Sequence, residues 1–161
     1  MKTRTEITIN KNIDAIWEVM GTQFAQVHLW SSNFKDSKAG GSPKLSGLDY
    51  AHRVTLTDRG ETIQELDEFD AENYSLTYHI TKGAPEIAKY AGAVWSLTSL
   101  GQNTTLAVFE FILEPQDFVK EEMLPKIEMG LLKSAKEIAE ELKYYMEENK
   151  AHPRKAEQQP S

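Results

Sequence analysis

The stretch YHITKGAPEIAKYAGAVW, residues 78–95, contains two aromatic, strand-like runs on either side of a Lys-Gly-Ala-Pro break. Successive side chains of a strand point to opposite faces of a sheet, so Tyr78 and Ile80 share one face. Glycine and proline together mark a turn or loop. The stretch therefore predicts two neighbouring strands joined by a loop that begins at 82–85. It also raises the question of whether the aromatic side chains fill a core or line a pocket.

The same alternation of apolar and polar residues extends to both sides of this stretch. Strands are predicted at 3–9, 48–57, 61–69, 74–81, 90–100 and 104–113, with a possible short strand at 33–37. Short turn clusters such as Asp-Arg-Gly at 58–60 and Gly-Gln-Asn at 101–103 separate successive strands. Such short connections favour hairpins, so the pattern predicts an antiparallel meander.

Helical periodicity appears near both ends of the chain. An apolar stripe in IDAIWEVM, residues 13–20, predicts one short helix after the first strand, and a second is expected at about 22–28. Beyond Pro115 the period changes to 3.6 and persists to about residue 149. The expected fold class is α+β, in which a curved antiparallel sheet wraps around this long C-terminal helix. Residues 1–149 are expected to form one domain, and 150–161 a flexible tail.

Composition excludes several classes of function. The net charge of the 161 residues is −7 and no basic patch is present, so nucleic acid is not expected as a partner. No apolar run has the roughly 18 residues of a membrane span, and a cytoplasmic location is the simplest interpretation. The chain has no cysteine, and its four histidines lack metal-binding spacing, so neither a metal nor another cofactor is expected. The oligomeric state stays open.

Four segments, taken in order, resemble the START-like or SRPBCC superfamily: IDAIWEVM, HRVTL, GETIQELDEFDAENYSLTYHI and TKGAPEIAKYAGAVWSLT. This helix-grip fold is shared by polyketide cyclase/dehydrase proteins, lipid-transfer domains and plant abscisic-acid receptors. The resemblance covers roughly residues 3–145 and implies an apolar cavity between the sheet and the long helix. The receptors' His-Arg-Leu pattern is replaced here by Pro85-Glu86-Ile87, which argues against a receptor.

The inward faces of the strands decide which residues would meet a ligand. Alternation selects Tyr78 and Ile80, and we place Val54 and Leu56 inward as well, with His52 on their side. For the last two strands alternation favours Trp95 and its partners, whereas the resemblance would turn other side chains inward; a β-bulge would reconcile the two. The residues that the resemblance would turn inward are Tyr90, Gly92, Val94 and Glu110.

The sequence predicts that the protein binds a small hydrophobic or amphipathic molecule between the sheet and the C-terminal helix. The candidate ligand-binding residues are Val54, Leu56, Tyr78, Ile80, Tyr90, Trp95, Phe109, Leu124, Ile127 and Leu131. For each of these residues, ordinary core packing is the alternative.

Two other functions remain open. One is a cyclase/dehydrase-like enzyme with His52 or Glu110 as its acid or base, although a structural histidine and an outward carboxylate are the simpler interpretations. The other is a protein-interaction module, which an exposed apolar patch at Trp95, Phe109 and Phe111 would support.

Overall fold

A computed structural model describes residues 1–158 of the chain. Seven strands form one sheet in the order β1-β7-β6-β5-β4-β3-β2, and every neighbouring pair is antiparallel. The strands are β1 (Lys2–Ile9), β2 (Asp36–Gly40), β3 (His52–Thr57), β4 (Gly60–Asp70), β5 (Ser75–Lys82), β6 (Ala88–Gly101) and β7 (Thr104–Pro115). The predicted meander is confirmed, because β3 to β7 are consecutive along the chain and adjacent in the sheet.

Short helices follow β1, and a long helix follows β7. Helix α1 (Ile13–Trp17) begins after Asn12, whose side chain accepts a hydrogen bond from the Asp14 amide. A π-helical turn and a 3-10 helix continue from it, and another 3-10 turn leads into the long helix; their bounds are Glu18–Thr22, Phe24–Leu29 and Glu121–Met123. Helix α2 (Leu124–Glu148) has Pro125 in its first turn, where no amide donor is needed. Within residues 1–158 no helix has the length and apolar character needed to cross a membrane.

The pairing of β6 with β7 settles which of their side chains point inward. Trp95 lies opposite Phe109, both are fully buried, and their ring centroids are 5.2 Å apart in an edge-to-face arrangement. Val94 and its partner Glu110 therefore face away from the core. The simple alternation is correct, and the inward orientation of Tyr90, Val94 and Glu110 is wrong, because the large apolar side chains of the opposite parity fill the core.

The predicted orientation of β3 is also wrong. Arg53 and Thr55 are buried, whereas Leu56 is 43% exposed and Val54 only partly buried. Register explains the difference, because Arg53 lies opposite Gln64 and Thr55 lies opposite Thr62. These polar side chains bond to each other across the pair, so the inward face of this strand is polar rather than apolar.

The core lies between the sheet and the second half of α2. All buried residues of α2 belong to Ala135–Met146, among them Ile138 and Leu142, and the helix packs against β1 and β7. In the first half, Leu124, Ile127 and Leu131 are only half-buried. A space therefore remains between this half of the helix and the sheet.

The C-terminal segment differs from the expected flexible tail. Pro153–Gln158 forms a short helix, α3, and Lys155 within it is 1% exposed. The Lys155 ammonium donates to the carbonyl oxygen of Phe34 at 2.8 Å, which gives a buried charge a polar partner. Residues 159–161 lie outside the described part of the chain, and the single domain ending at residue 149 stays a prediction.

Candidate functional site

A cavity of about 860 Å³ lies between the inward face of the sheet and the first half of α2. This volume falls within the range of small-molecule sites, roughly 300 to 1,000 Å³. Apolar side chains form much of its wall: Ile80, Ile87, Phe111, Ile127, Leu131 and Ile138. The polar part of the wall includes Asn33, Thr62, Gln64, Tyr78, Ser134 and Glu137.

The periodicity of each helix or strand explains why its apolar side chains point into the cavity. Ile127 and Leu131 are four residues apart on α2, so both side chains lie on the helix face that looks toward the sheet. Ile80 shares the inward face of β5 with Tyr78, and Phe111 follows Phe109 on the inward face of β7. The strand and helix periods therefore place apolar groups on both sides of one space.

Four of the ten candidate ligand residues line this cavity: Tyr78, Ile80, Ile127 and Leu131. Trp95 and Phe109 are fully buried in the core and present no exposed apolar patch. Tyr90 lies on the outer face of the sheet, where its ring stacks on His79 with the centroids 5.8 Å apart. The other three candidates, Val54, Leu56 and Leu124, are not among the cavity-lining residues.

Neither candidate acid or base lies in the cavity wall. His52 sits near Glu65, with 3.4 Å between the ring Nδ1 and a carboxylate oxygen. Glu110 pairs with Lys2 at 3.0 Å and with Arg4 at 3.7 Å. Both side chains point to the outer face of the sheet, where they pair with charged residues.

A residue that sequence reasoning missed, Arg53, lies directly behind the wall. Its side chain is fully buried, and its guanidinium carbon is 3.7 Å from the ring centroid of Phe24. The guanidinium is also 5.2 Å from the ring centroid of Phe34 and 5.0 Å from that of Tyr78, and both rings border the cavity. The sequence alone did not mark Arg53 as inward-facing, because its polar neighbours on β4, Gln64 and Thr62, come beside β3 only through the strand register.

The hydrogen bonds of Arg53 are incomplete within residues 1–158. Nε donates to Oε1 of Gln64 at 2.6 Å, and Nη1 donates to the carbonyl oxygen of Phe24 at 2.9 Å. Nη2 is buried and has no hydrogen-bond partner. Buried polar groups are normally paired, so a buried guanidinium nitrogen without an acceptor calls for an explanation.

Burial dominates the electrostatics of this region. It lowers the pKa of Arg53 to about 10, and the opposing influences come from the hydroxyls of Tyr78 and Tyr50 rather than from a carboxylate. Burial likewise raises the pKa of the Tyr78 phenol, while the neighbouring Arg53 charge and the Trp95 indole counteract it. At neutral pH the guanidinium therefore keeps its charge and the phenol keeps its proton.

The segment Ser32–Phe34 forms another part of the wall. Hydrogen bonds to side chains of α2 and α3 hold it in position. The amide and the hydroxyl of Ser32 donate to the two carboxylate oxygens of Glu141, at 2.8 and 2.6 Å. Arg154 of α3 donates to the same buried carboxylate at 2.8 Å, and Lys155 bonds to the Phe34 carbonyl. Helices α2 and α3 thus fix the wall segment in place.

Comparison with known proteins finds relatives in structure only. No family model matches the chain, and no curated protein matches it. Among solved structures, a START superfamily protein from Mycobacterium smegmatis matches with a TM-score of 0.72 at 14% identity, covering 92% of this chain and 98% of that one.

Two structures from Bacillus species are also similar. An uncharacterized protein from Bacillus thuringiensis has a TM-score of 0.67 at 20% identity, covering 87% of this chain and 97% of that one. The protein XoxI from Bacillus cereus has a TM-score of 0.66 at 20% identity, covering 86% and 93%. The order of the strands, the long C-terminal helix and these neighbours together show that the chain has the same helix-grip fold as the START superfamily protein from Mycobacterium smegmatis.

Proposed function

We propose that the protein binds a small hydrophobic or amphipathic molecule between its sheet and the first half of α2. The observation that carries this proposal is the cavity of about 860 Å³, bounded by apolar side chains of the sheet and of α2. The second half of α2 is buried in the core, and its first half covers the cavity. The helix is therefore suited to contact a ligand bound there. Apolar burial then supplies the main driving force for binding.

The magnitude of this driving force favours a ligand of moderate size. Burying about 300 Å² of apolar ligand surface at about 25 cal/mol per Å² contributes about 7.5 kcal/mol before the costs of association. Those costs are of similar order, so polar contacts are needed to raise affinity and fix orientation. The polar groups Thr62, Gln64 and Tyr78 in the wall are placed to make such contacts.

Binding is better supported than turnover. A general acid or base must come within hydrogen-bond reach of the reacting group. His52 and Glu110 are paired with charged residues on the outward side of the sheet, so they are poorly placed for a substrate in the cavity.

A neutral apolar dye tests the proposal without assuming a natural ligand. The fluorescence of N-phenyl-1-naphthylamine should rise saturably when the dye enters the wild-type cavity. Ser134→Trp places a large ring in the cavity wall and should abolish the rise, whereas Lys133→Trp, on the exposed side of the same helix, should preserve it. Absence of saturable binding to the wild type, or equal binding by the Ser134→Trp protein, would overturn the proposal.

A further inference from the structure

The cation of Arg53 has no counter-ion in the part of the chain that the structure describes. No carboxylate oxygen of residues 1–158 lies within 4.0 Å of its guanidinium, which is surrounded instead by the rings of Phe24, Phe34, Tyr78 and Trp95. Aromatic faces compensate a cation only in part, and a buried charge usually requires an opposite charge. The guanidinium is therefore a positive charge without a counter-ion among residues 1–158, in an environment of low dielectric constant.

Several buried hydrogen-bond donors in this part of the protein have no acceptor among the described residues. The buried indole nitrogens of Trp30 and Trp95 have no hydrogen-bond partner among residues 1–158, and neither does Nδ2 of Asn33 in the cavity wall. The ring centroid of Trp95 is 5.1 Å from the guanidinium carbon of Arg53 and 6.3 Å from the ring centroid of Trp30. Hydrogen-bond donors near a positive charge favour the binding of an anion, because an anion can accept strong hydrogen bonds from them.

Gln64 and Tyr78 connect this donor-rich region to the cavity. Because Oε1 of Gln64 accepts the Nε–H of Arg53, the amide orientation is fixed and Nε2 is left to donate elsewhere. The Tyr78 ring centroid is 5.0 Å from the guanidinium carbon of Arg53, and the phenol hydroxyl has a hydrogen that it can donate to an acceptor. Both side chains line the cavity, which brings two donors to its surface with the guanidinium behind them.

We propose that the ligand is an amphipathic carboxylate whose head lies against Gln64 and Tyr78 and whose apolar chain lies along Ile127 and Leu131. This inference rests on the proposed binding function and adds the chemical class of the ligand. The carboxylate accepts hydrogen bonds from the Gln64 amide and the Tyr78 hydroxyl, and Arg53 behind them balances its charge. The half-buried apolar residues of α2 take the rest of the molecule.

Two exposed cations offer a competing source of attraction for anions. Arg59 and Lys126 also border the cavity, but both are exposed to solvent. Salt screens interactions of exposed charges strongly and those of buried charges much less. The two sources therefore predict different responses to salt and to substitution.

The test compares two ligands with the same chain and different heads, dodecanoate and 1-dodecanol, in competition with the naphthylamine dye at pH 7.5. The wild-type protein should bind dodecanoate about tenfold or more tightly than 1-dodecanol, the size expected for hydrogen bonds to a charged group. Arg53→Met should remove this preference while retaining the alcohol. The control Arg59→Met/Lys126→Met should keep the preference.

The outcomes separate this inference from the binding function on which it rests. Equal affinity of the wild type for acid and alcohol would overturn the carboxylate inference and leave the binding function standing. Failure of both ligands to bind would overturn both proposals. If Arg53→Met does not fold, the wild-type preference in 1 M NaCl decides: its retention supports the buried cation, and its loss assigns the attraction to the exposed cations.

Discussion

At the scale of the residue, the most consequential feature is a buried arginine that relies on a neutral partner. Gln64 supplies the side-chain acceptor for Arg53, the Phe24 carbonyl oxygen accepts a second bond, and four aromatic rings surround the guanidinium. Removing the partner of a buried charge costs more than removing the charge and its partner together. Stability measurements can therefore reveal how far Arg53 depends on Gln64.

We predict that Gln64→Leu lowers the free energy of unfolding by about 2 to 3 kcal/mol, because a charged donor loses its acceptor in the interior. The double variant Arg53→Met/Gln64→Leu should recover part of this loss. Urea denaturation measures both, with Gln26→Leu, at an exposed position, as a control that should change little. Strictly additive losses in the double variant would contradict the dependence of Arg53 on Gln64.

His28 makes the stability of the protein depend on pH. Burial lowers its pKa, and its Nδ1 lies 2.7 Å from the hydroxyl oxygen of Ser37. Below the ordinary pKa of about 6.5 the unfolded chain therefore binds a proton that the folded chain resists, so acid shifts the equilibrium toward unfolding. The contribution is present above pH 6.5 and is lost as the pH falls below that value.

His28→Asn should flatten this part of the pH profile, since the amide can keep the contact to Ser37 without titrating. Thermal midpoints at several pH values between 5 and 7.5 measure the effect. The wild type should lose more stability than the variant over this interval. Parallel profiles for the two proteins would show that His28 does not contribute the expected dependence.

At the scale of the element, α2 has two roles in its two halves. The second half supplies Ala135, Ile138 and Leu142 to the core, and the first half borders the cavity with Ile127 and Leu131. The C-terminal helix α3 adds a connection, because it binds the segment Ser32–Phe34 through its polar side chains. One wall of the cavity is thus held by the end of the chain.

We predict that Lys155→Met loosens this wall segment. The substitution keeps most of the length of the side chain but removes its hydrogen bonds to the Phe34 carbonyl and to Gln158, and stability should fall by about 1 to 3 kcal/mol. Hydrogen exchange at the amides of 32–34 should accelerate, while β6 and β7 exchange as before. Lys150→Met, at an exposed position, is the matched control, and unchanged exchange at 32–34 in the Lys155 variant would contradict the role of α3.

At the scale of the whole molecule, the fold could be predicted from the sequence because its signals are local and repeated. Alternating strands, short turns and one long 3.6-residue period recur in an order that few architectures accommodate. The same alternation correctly placed Tyr78, Ile80 and Trp95 on the inner face of the sheet. The site was harder to predict, because its distinctive residues break the usual rule that charge faces water.

Strand β3 shows this limit most clearly. Val54 and Leu56 are the apolar residues of their strand, yet Arg53 and Thr55 face inward, because their partners on β4 are also polar. A sequence pattern does not contain that pairing, which follows from the strand register. In the same way, Lys155 lies in a segment without apolar character and becomes ordered through long-range hydrogen bonds rather than through a hydrophobic face.

The most direct test of a ligand site between sheet and helix is an amide NMR titration of the full chain with dodecanoate. The proposed site predicts saturable shifts at Gln64, Tyr78, Ile127 and Leu131, which meet only at the cavity among the described residues. Shifts confined to the neighbourhood of the exposed side chain of Phe118, or the absence of saturable shifts, would contradict it.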